Sequence, residues 1–179
     1  MGLATAPKII GNRCWFFRDG TAFTVPSAGT ASRTSKPGAA DTGWIDLGIV
    51  RELSVDHQRE EIEIFAPTPG IKRLYDVLEA KRQLNITFTT EDFSAFAFEL
   101  LFGSLALTAA STQFNPLEGA VKKGWLKFQQ YDQADAQVST VDVFTYIKIG
   151  GELNFGDGLV APQFSCRTLH STLNTGALS

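Results

Sequence analysis

Glu60, Glu61 and Glu63 bring carboxylates together in one short run, the raw material for acid/base work in which one carboxyl stays protonated beside an ionised neighbour. On an extended chain, however, Glu61 and Glu63 point one way and Glu60 the other, so the run reads as a solvated acidic face. His57 and His170 are the only histidines. They form no His-x-x-x-His pair and no Cys/His cluster of zinc-ligating spacing, and no Gly-x-Ser-x-Gly elbow accompanies them, so both are expected at the surface or an interface. Cys14 and Cys166 lie far apart in strand-like segments, without the spacing of a metal or redox pair, and are expected as buried free thiols. Gly156 to Ala161 spells like a dinucleotide fingerprint, but Pro162 and β-rich sequence follow where that motif needs a helix. Asn85-Ile86-Thr87 spells a glycosylation acceptor inside a predicted strand. No nucleophile, base and orienting partner can be assembled from these residues; the expectation is a non-enzyme with no cofactor and no metal.

The elements that would hold these residues come from a chain of 179 residues, long enough for one domain with a real core. Its 44% hydrophobic and 20% charged residues are those of an ordinary globular protein. A net charge of -3 argues against tight nucleic-acid binding, which draws mainly on Lys and Arg displacing counterions. There is no apolar run of about 18 residues, and the N-terminus lacks a basic region followed by an apolar core. Ala6 occupies the position where myristoylation requires Ser or Thr. These features predict a protein made and kept in a cytosol, without a membrane partner.

Asn12 to Arg18 reads as a first strand closed by the turn Asp19-Gly20. Thr21 to Gly43 is dominated by Thr, Ser, Ala, Gly and Pro and is expected to be a long flexible loop or arm that orders on contact with a neighbour. Ile49 to Val55 and Arg59 to Phe65 look extended, with charges intruding into the alternation. Pro67, Pro69 and Gly70 interrupt them, and Ile71 to Arg82 fits a helix or a strand. Leu84, Ile86 and Phe88 then alternate with polar residues as one buried strand face. Thr90 is the expected N-cap of a helix of about three turns that carries Glu91 and Asp92 first and ends at Gly103. Phe93, Phe96, Ala97, Leu100 and Leu101 form its buried stripe. Phe98 and Phe102 fall outside that stripe and either cap the sheet edge or meet another subunit.

Trp125 to Tyr131 and Val141 to Ile149 are strands by their β-branched and aromatic content. The second has apolar bulk on both faces, with Val141, Val143, Ile147 and Ile149 on one and Phe144 and Tyr146 on the other, so something must cover the second face. Gly150-Gly151 and Asp157-Gly158 divide the tail into Leu153 to Phe155 and Gln163 to His170. The sum is mainly β: a β-sandwich or flattened barrel with one α-helix packed on it, spanning residues 1–179 as one domain.

Trp44-Ile45-Asp46-Leu47-Gly48, Glu60 to Phe65, Gly70, the strand Leu84 to Thr89 leading into Glu91-Asp92-Phe93, and Leu100 to Gly103 follow in an order that resembles tail tube (major tail) proteins of long-tailed bacteriophages. Gly124 to Lys127, Val141 to Ile149, Gly151-Glu152-Leu153 and Phe164-Ser165-Cys166 look like the later strands of that family. The resemblance covers about three quarters of the chain and rests on element order; the arm 21–43 departs from it.

The resemblance implies a structural virion protein whose hexameric rings stack into a tube enclosing a channel for DNA passage into the host. The implied partners are further copies of the chain, the tape-measure protein, and the tail-tip or baseplate and tail terminator proteins. DNA crosses the lumen without specific binding, and the protein belongs to the virion tail, assembled in the host cytoplasm. Within that frame Asp56, Glu60, Glu61 and Glu63 are lumen candidates, because excess carboxylate repels phosphate; the alternative is an outer face interspersed with Arg51 and Arg59. Phe98, Phe102, Phe144, Tyr146 and Trp44 are candidates for the subunit interface. The alternatives are a related ring-forming tube or tail-completion protein of a contractile injection device, and a monomeric carbohydrate-binding β-sandwich using Trp15, Trp44 or Trp125 as its platform.

Overall fold

Alternating apolar and polar residues build most of the sheet of this protein, for which a computed structural model describes residues 11–66, 72–102, 121–151 and 161–178. The strands are β1 (Gly11–Arg18), β2 (Ala22–Phe23), β3 (Gly29–Thr30), β4 (Ile45–Ala66) and β5 (Arg73–Thr90), then, after helix α1 (Ala95–Phe102), β6 (Lys122–Tyr131), β7 (Gln137–Ile149), β8 (Gln163–Thr168) and β9 (Thr175–Leu178). Hydrogen bonding runs in the order β6-β1-β4-β5-β8-β7, and β7 also pairs with β6, which closes the sheet into an antiparallel barrel. β9 lies on β7 beyond β8, pairing Ser139 to Asp142.

The barrel interior takes alternate residues from every strand: Cys14 and Phe16, Leu47, Ile86 and Phe88, Leu126 and Phe128, Val143 and Ile147, Phe164 and Cys166. Phe88 stacks on Phe164 at 4.9 Å between ring centroids and meets Phe128 edge-on at 5.2 Å. Helix α1 adds Phe96, Ala97 and Leu100 to the same core, with Phe96 stacked on Phe16 at 4.8 Å. Of the expected stripe, Phe96, Ala97 and Leu100 are buried, Phe93 packs partly buried ahead of the helix and Leu101 is half-buried, and the helix begins later than expected. Ser94, whose Oγ accepts the Ala97 N–H at 3.2 Å, is the cap, while Thr90 still belongs to β5 and its hydroxyl donates to the Asp92 carbonyl at 3.1 Å.

Gly124 is where β6 comes closest to β1: a Cβ there would stand 2.0 Å from the Phe17 carbonyl oxygen, so no other residue fits without moving a strand. On the outer face of these strands lies a second core of Phe17, Trp125 and Phe144, covered by Phe23 and Ala31 from residues 21–43 and flanked by Trp44, Leu169 and Leu173. This supplies the cover that the two apolar faces of β7 require. It also corrects the expectation of an arm at 21–43, because the Phe23 ring, Ala31 and backbone carbonyls pack this segment on the barrel. The Trp125 indole N–H donates to the Ser32 and Ser35 carbonyls at 2.9 and 3.2 Å, and Ser171 Oγ donates to the Arg33 carbonyl at 2.7 Å. Asp41 knots the segment, accepting from the Ser27 hydroxyl, the Ser27 N–H and the Gly38 N–H; these bonds, the Ser27 hydroxyl foremost, hold its carboxyl below the ordinary 3.8.

Two further expectations change. Ile49 to Val55 and Arg59 to Phe65 form one continuous strand, and the ambiguous stretch before Arg82 is strand from Arg73 onward. The breaks at Pro67, Pro69 and Gly70, the helix end at Gly103, Leu153 to Phe155 and the turn Asp157-Gly158 lie outside the described residues.

Candidate assembly surface

β4 and β5 are far longer than the barrel needs. β4 pairs with β1 only from Ile45 to Val50, and β5 pairs with β8 only from Asn85 to Thr89. Beyond those positions, among the described residues, β4 and β5 pair only with each other, out to Ala66 opposite Arg73. Since β8 still meets β5 as far as Asn85, opposite Asp56, the result is a two-stranded arm from His57 to Ala66 that runs roughly 30 Å at ~3.3 Å per residue. Both of its edges carry main-chain groups that no third strand among the described residues meets, the condition that invites another strand.

Register assigns its faces. Leu53, Val55, His57, Arg59, Glu61, Glu63 and Phe65 share the face of Ile86 and Phe88, whereas Asp56, Gln58, Glu60, Ile62 and Ile64 share the opposite one. The register shifts between Glu60 and Glu61 and between Ile64 and Phe65, placing Ala80 and Tyr75 as extra residues on β5 in β-bulges. Near the middle, like charges stand opposite each other, Arg59 with Arg82 and Glu61 with Glu79. The clash is relieved diagonally: Glu79 pairs with Arg82 at 2.6 Å and with Arg59 at 3.8 Å. Hydrogen bonding from Arg82 holds the Glu79 carboxyl below its usual range. Beyond this charged belt the tip is rich in large apolar side chains, with Ile62, Ile64, Phe65, Leu74, Tyr75, Val77 and Leu78 all exposed, Tyr75 by 78%, and with Glu63 opposite Val77 and Asp76 opposite Ile64 set among them.

The acidic lumen candidates all lie on this arm, but Asp56 and Glu60 are on one face and Glu61 and Glu63 on the other. Lys81 stands opposite Glu60, so the ribbon carries mixed charge where the β4 sequence alone reads as acidic. The interface candidates are scattered. Phe98 is half-buried on α1, its ring edge-on to Phe93 at 6.3 Å. Phe102 is the last helical residue. Tyr146 is half-buried on β7. Phe144 is 2% exposed and packs on Trp125 at 5.4 Å, which corrects its reading as an interface side chain: the segment 21–43 already covers its face. Trp44 is half-buried, donates its indole N–H to the Gly38 carbonyl at 2.8 Å and carries the Lys127 ammonium over its ring at 3.8 Å.

Trp44 also lines a cleft of about 460 Å³ with Trp15, Thr42, Lys127 and Gln129. Burial lowers the Lys127 pKa below its ordinary 10.5. Trp125, the third platform candidate, is fully buried.

The apolar tip is what sequence reasoning missed. Its signal was present: Ile62 and Ile64 fall on one parity of β4 and Phe65 on the other, a pattern without a dry side and a wet side.

No protein-family model matches the sequence, and no curated protein matches it. Among solved structures, a chain from the tail of an empty GTA particle with C6 symmetry overlaps 76% of this chain and 85% of its own length, at 13% identity and a TM-score of 0.38. A chain from the 6-fold symmetrised baseplate of the anti-feeding prophage (AFP) overlaps 98% of this chain and 97% of its own length, at 8% identity and a TM-score of 0.44. Neither overlap carries a functional conclusion.

Proposed function

We propose that the chain is a structural subunit of a phage-type tail, the repeating unit of its tube, which self-associates into stacked hexameric rings around a channel for DNA. The observation that carries this reading is the β4–β5 arm. An isolated two-stranded ribbon is marginal in water, and this one exposes an apolar tip and two open edges. Packing against other copies buries the first and pairs the second. The element order that resembles tail tube proteins supplies the ring and channel. The role is structural rather than catalytic, and the tape-measure, tail-tip and terminator proteins belong to the proposal as partners. Any lumen wall made by the arm would present Asp56 and Glu60, or Glu61 and Glu63, but not all of them together.

Negative-stain electron microscopy with light scattering across concentration tests the reading. Stacked rings with a central channel are the expected outcome; persistent monomers, even with a tail-tip or tape-measure complex present, would count against it. One observation favours a second reading. The cleft bearing Trp15 and Trp44 has the aromatic and polar walls of a small carbohydrate site, and binding of oligosaccharides to a stable monomer would move weight there.

A further inference from the structure

Lys127 is a cation buried without an anion of its own. It stands on β6 between Trp15 of β1 and Asp142 of β7 and is 5% exposed. The carboxylates around it are already engaged. Asp142 takes its cation from Lys36, at 3.0 Å, and Asp41 accepts from the Ser27 hydroxyl and from the Ser27 and Gly38 N–H groups. The Lys127 ammonium lies instead over the Trp44 ring, and among the described residues no oxygen accepts a hydrogen bond from it.

An aromatic face attracts the charge but leaves the N–H donors without a conventional acceptor, and a buried donor without one is costly. Burial holds the ammonium below its ordinary 10.5, the direction expected of a cation short of an anion. Lys127 lines the cleft of about 460 Å³ that Trp15, Trp44, Thr42 and Gln129 also wall, so an acceptor can enter from solvent. A cleft of this size holds a small molecule, and its walls narrow the class. The indoles suit the apolar face of a ring, Thr42 and Gln129 suit hydroxyl groups, and the ammonium calls for a carboxylate. A fatty acid would leave the hydroxyl and amide unpaired; a neutral sugar would leave the charge unpaired.

We infer that this cleft binds an acidic sugar, a uronic acid unit whose carboxylate accepts from the Lys127 ammonium while its ring lies against Trp15 and its hydroxyls meet Thr42 and Gln129. This rests on the carbohydrate reading of the cleft and deepens it by naming the sugar class. It is independent of self-assembly, because Trp15 and Lys127 belong to the barrel wall and not to the arm. Trp44 is the positioning residue, holding the ammonium at the cleft when no sugar is present. A carboxylate beside Lys127 raises its pKa again, so binding at alkaline pH takes up a proton.

The test titrates the full-length protein calorimetrically at low salt with digalacturonic acid and with the matching neutral disaccharide of galactose, which carries hydroxymethyl groups in place of the carboxylates. The acidic sugar is expected to bind at least about tenfold tighter than the neutral one, and Lys127→Met is expected to abolish that preference. Proton uptake on binding at alkaline pH should appear as a heat that changes with the ionisation enthalpy of the buffer. Equal affinities, or a preference for the neutral sugar, would overturn the acidic-sugar assignment and leave the carbohydrate reading standing. Binding of neither sugar would overturn both. A preference that persists in folded Lys127→Met would remove Lys127 from the site and overturn the inference. The sugar comparison and the proton uptake are read on the wild-type protein, so neither depends on the variant folding.

Discussion

The barrel and the arm are made from the same two strands, and they obey opposite rules. From Ile45 to Val50 and from Asn85 to Thr89, β4 and β5 are hydrogen-bonded on both edges and hide one face around Ile86 and Phe88. Beyond those positions, among the described residues, they have only each other. The barrel's stability is therefore its own, drawn from enclosed aromatic rings, each worth about 1.5–3 kcal/mol when fully buried. Among the described residues neither the edges nor the faces of the arm are satisfied, so under the proposed assembly its stability is borrowed from other copies. A subunit divided in this way can fold alone and still be incomplete.

Substitutions that strike the barrel should break the comparison most. Trp125 joins the barrel wall to the segment 21–43, so Trp125→Ala is expected to cost about 3–5 kcal/mol in urea unfolding of the monomer, as large-to-small aromatic changes do. Next comes the buried carboxylate of α1. Glu99 is 3% exposed and pairs with Arg18 and with Lys122, the latter at 3.1 Å. Glu99→Ala leaves two cations without their anion, and because both are partly hydrated the expected loss is about 2 kcal/mol, below that of a fully buried pair. Glu99→Gln should recover part of it.

The Asp41 knot should respond to acid. Its folded pKa lies below 3.8, so its contribution is present above that value and is lost as pH falls through the lower folded pKa. Amide shifts of Ser27 and Gly38 followed by NMR should move together in that window, and the movement should vanish in Asp41→Asn. The smallest effect on monomer stability sharpens the contrast best. Replacing 58–83 by a two-residue Asn-Gly turn, which joins His57 to its partner Leu84, should change unfolding free energy by no more than about 1 kcal/mol while abolishing self-association in light scattering. A large loss of stability would show that the arm supports the barrel after all.

How much of this could be read from the residues follows the same division. Leu84, Ile86 and Phe88 announced a buried strand face because one side of that strand meets the core and the other does not. The stripe Phe96, Ala97 and Leu100 was legible for the same reason, although the start of the helix was not, since Thr90 and Ser94 are equally good caps by type and only the reach of β5 decides between them. Where both sides are covered or both are exposed, alternation carries no information. Phe144 looked like an interface residue because its cover comes from Phe23 and Ala31, far away in sequence and set among Ser, Thr and Gly. The run Glu60, Glu61 and Glu63 looked like an acidic face because the partner strand is invisible in that stretch of sequence: Lys81 stands opposite Glu60, and Glu79, paired with Arg59 and Arg82, stands opposite Glu61.

Cys14 and Cys166 face the barrel interior from β1 and β8 and are fully buried. Burial pushes both thiols well above the usual range, so neither offers a thiolate to a reagent while the barrel is shut. The chain thus contains its own stopwatch: the rate at which a thiol reagent labels the folded protein counts barrel openings and ignores motions of the arm, which contains no cysteine. In an assembled particle that rate would report how often a single subunit comes apart inside an intact wall.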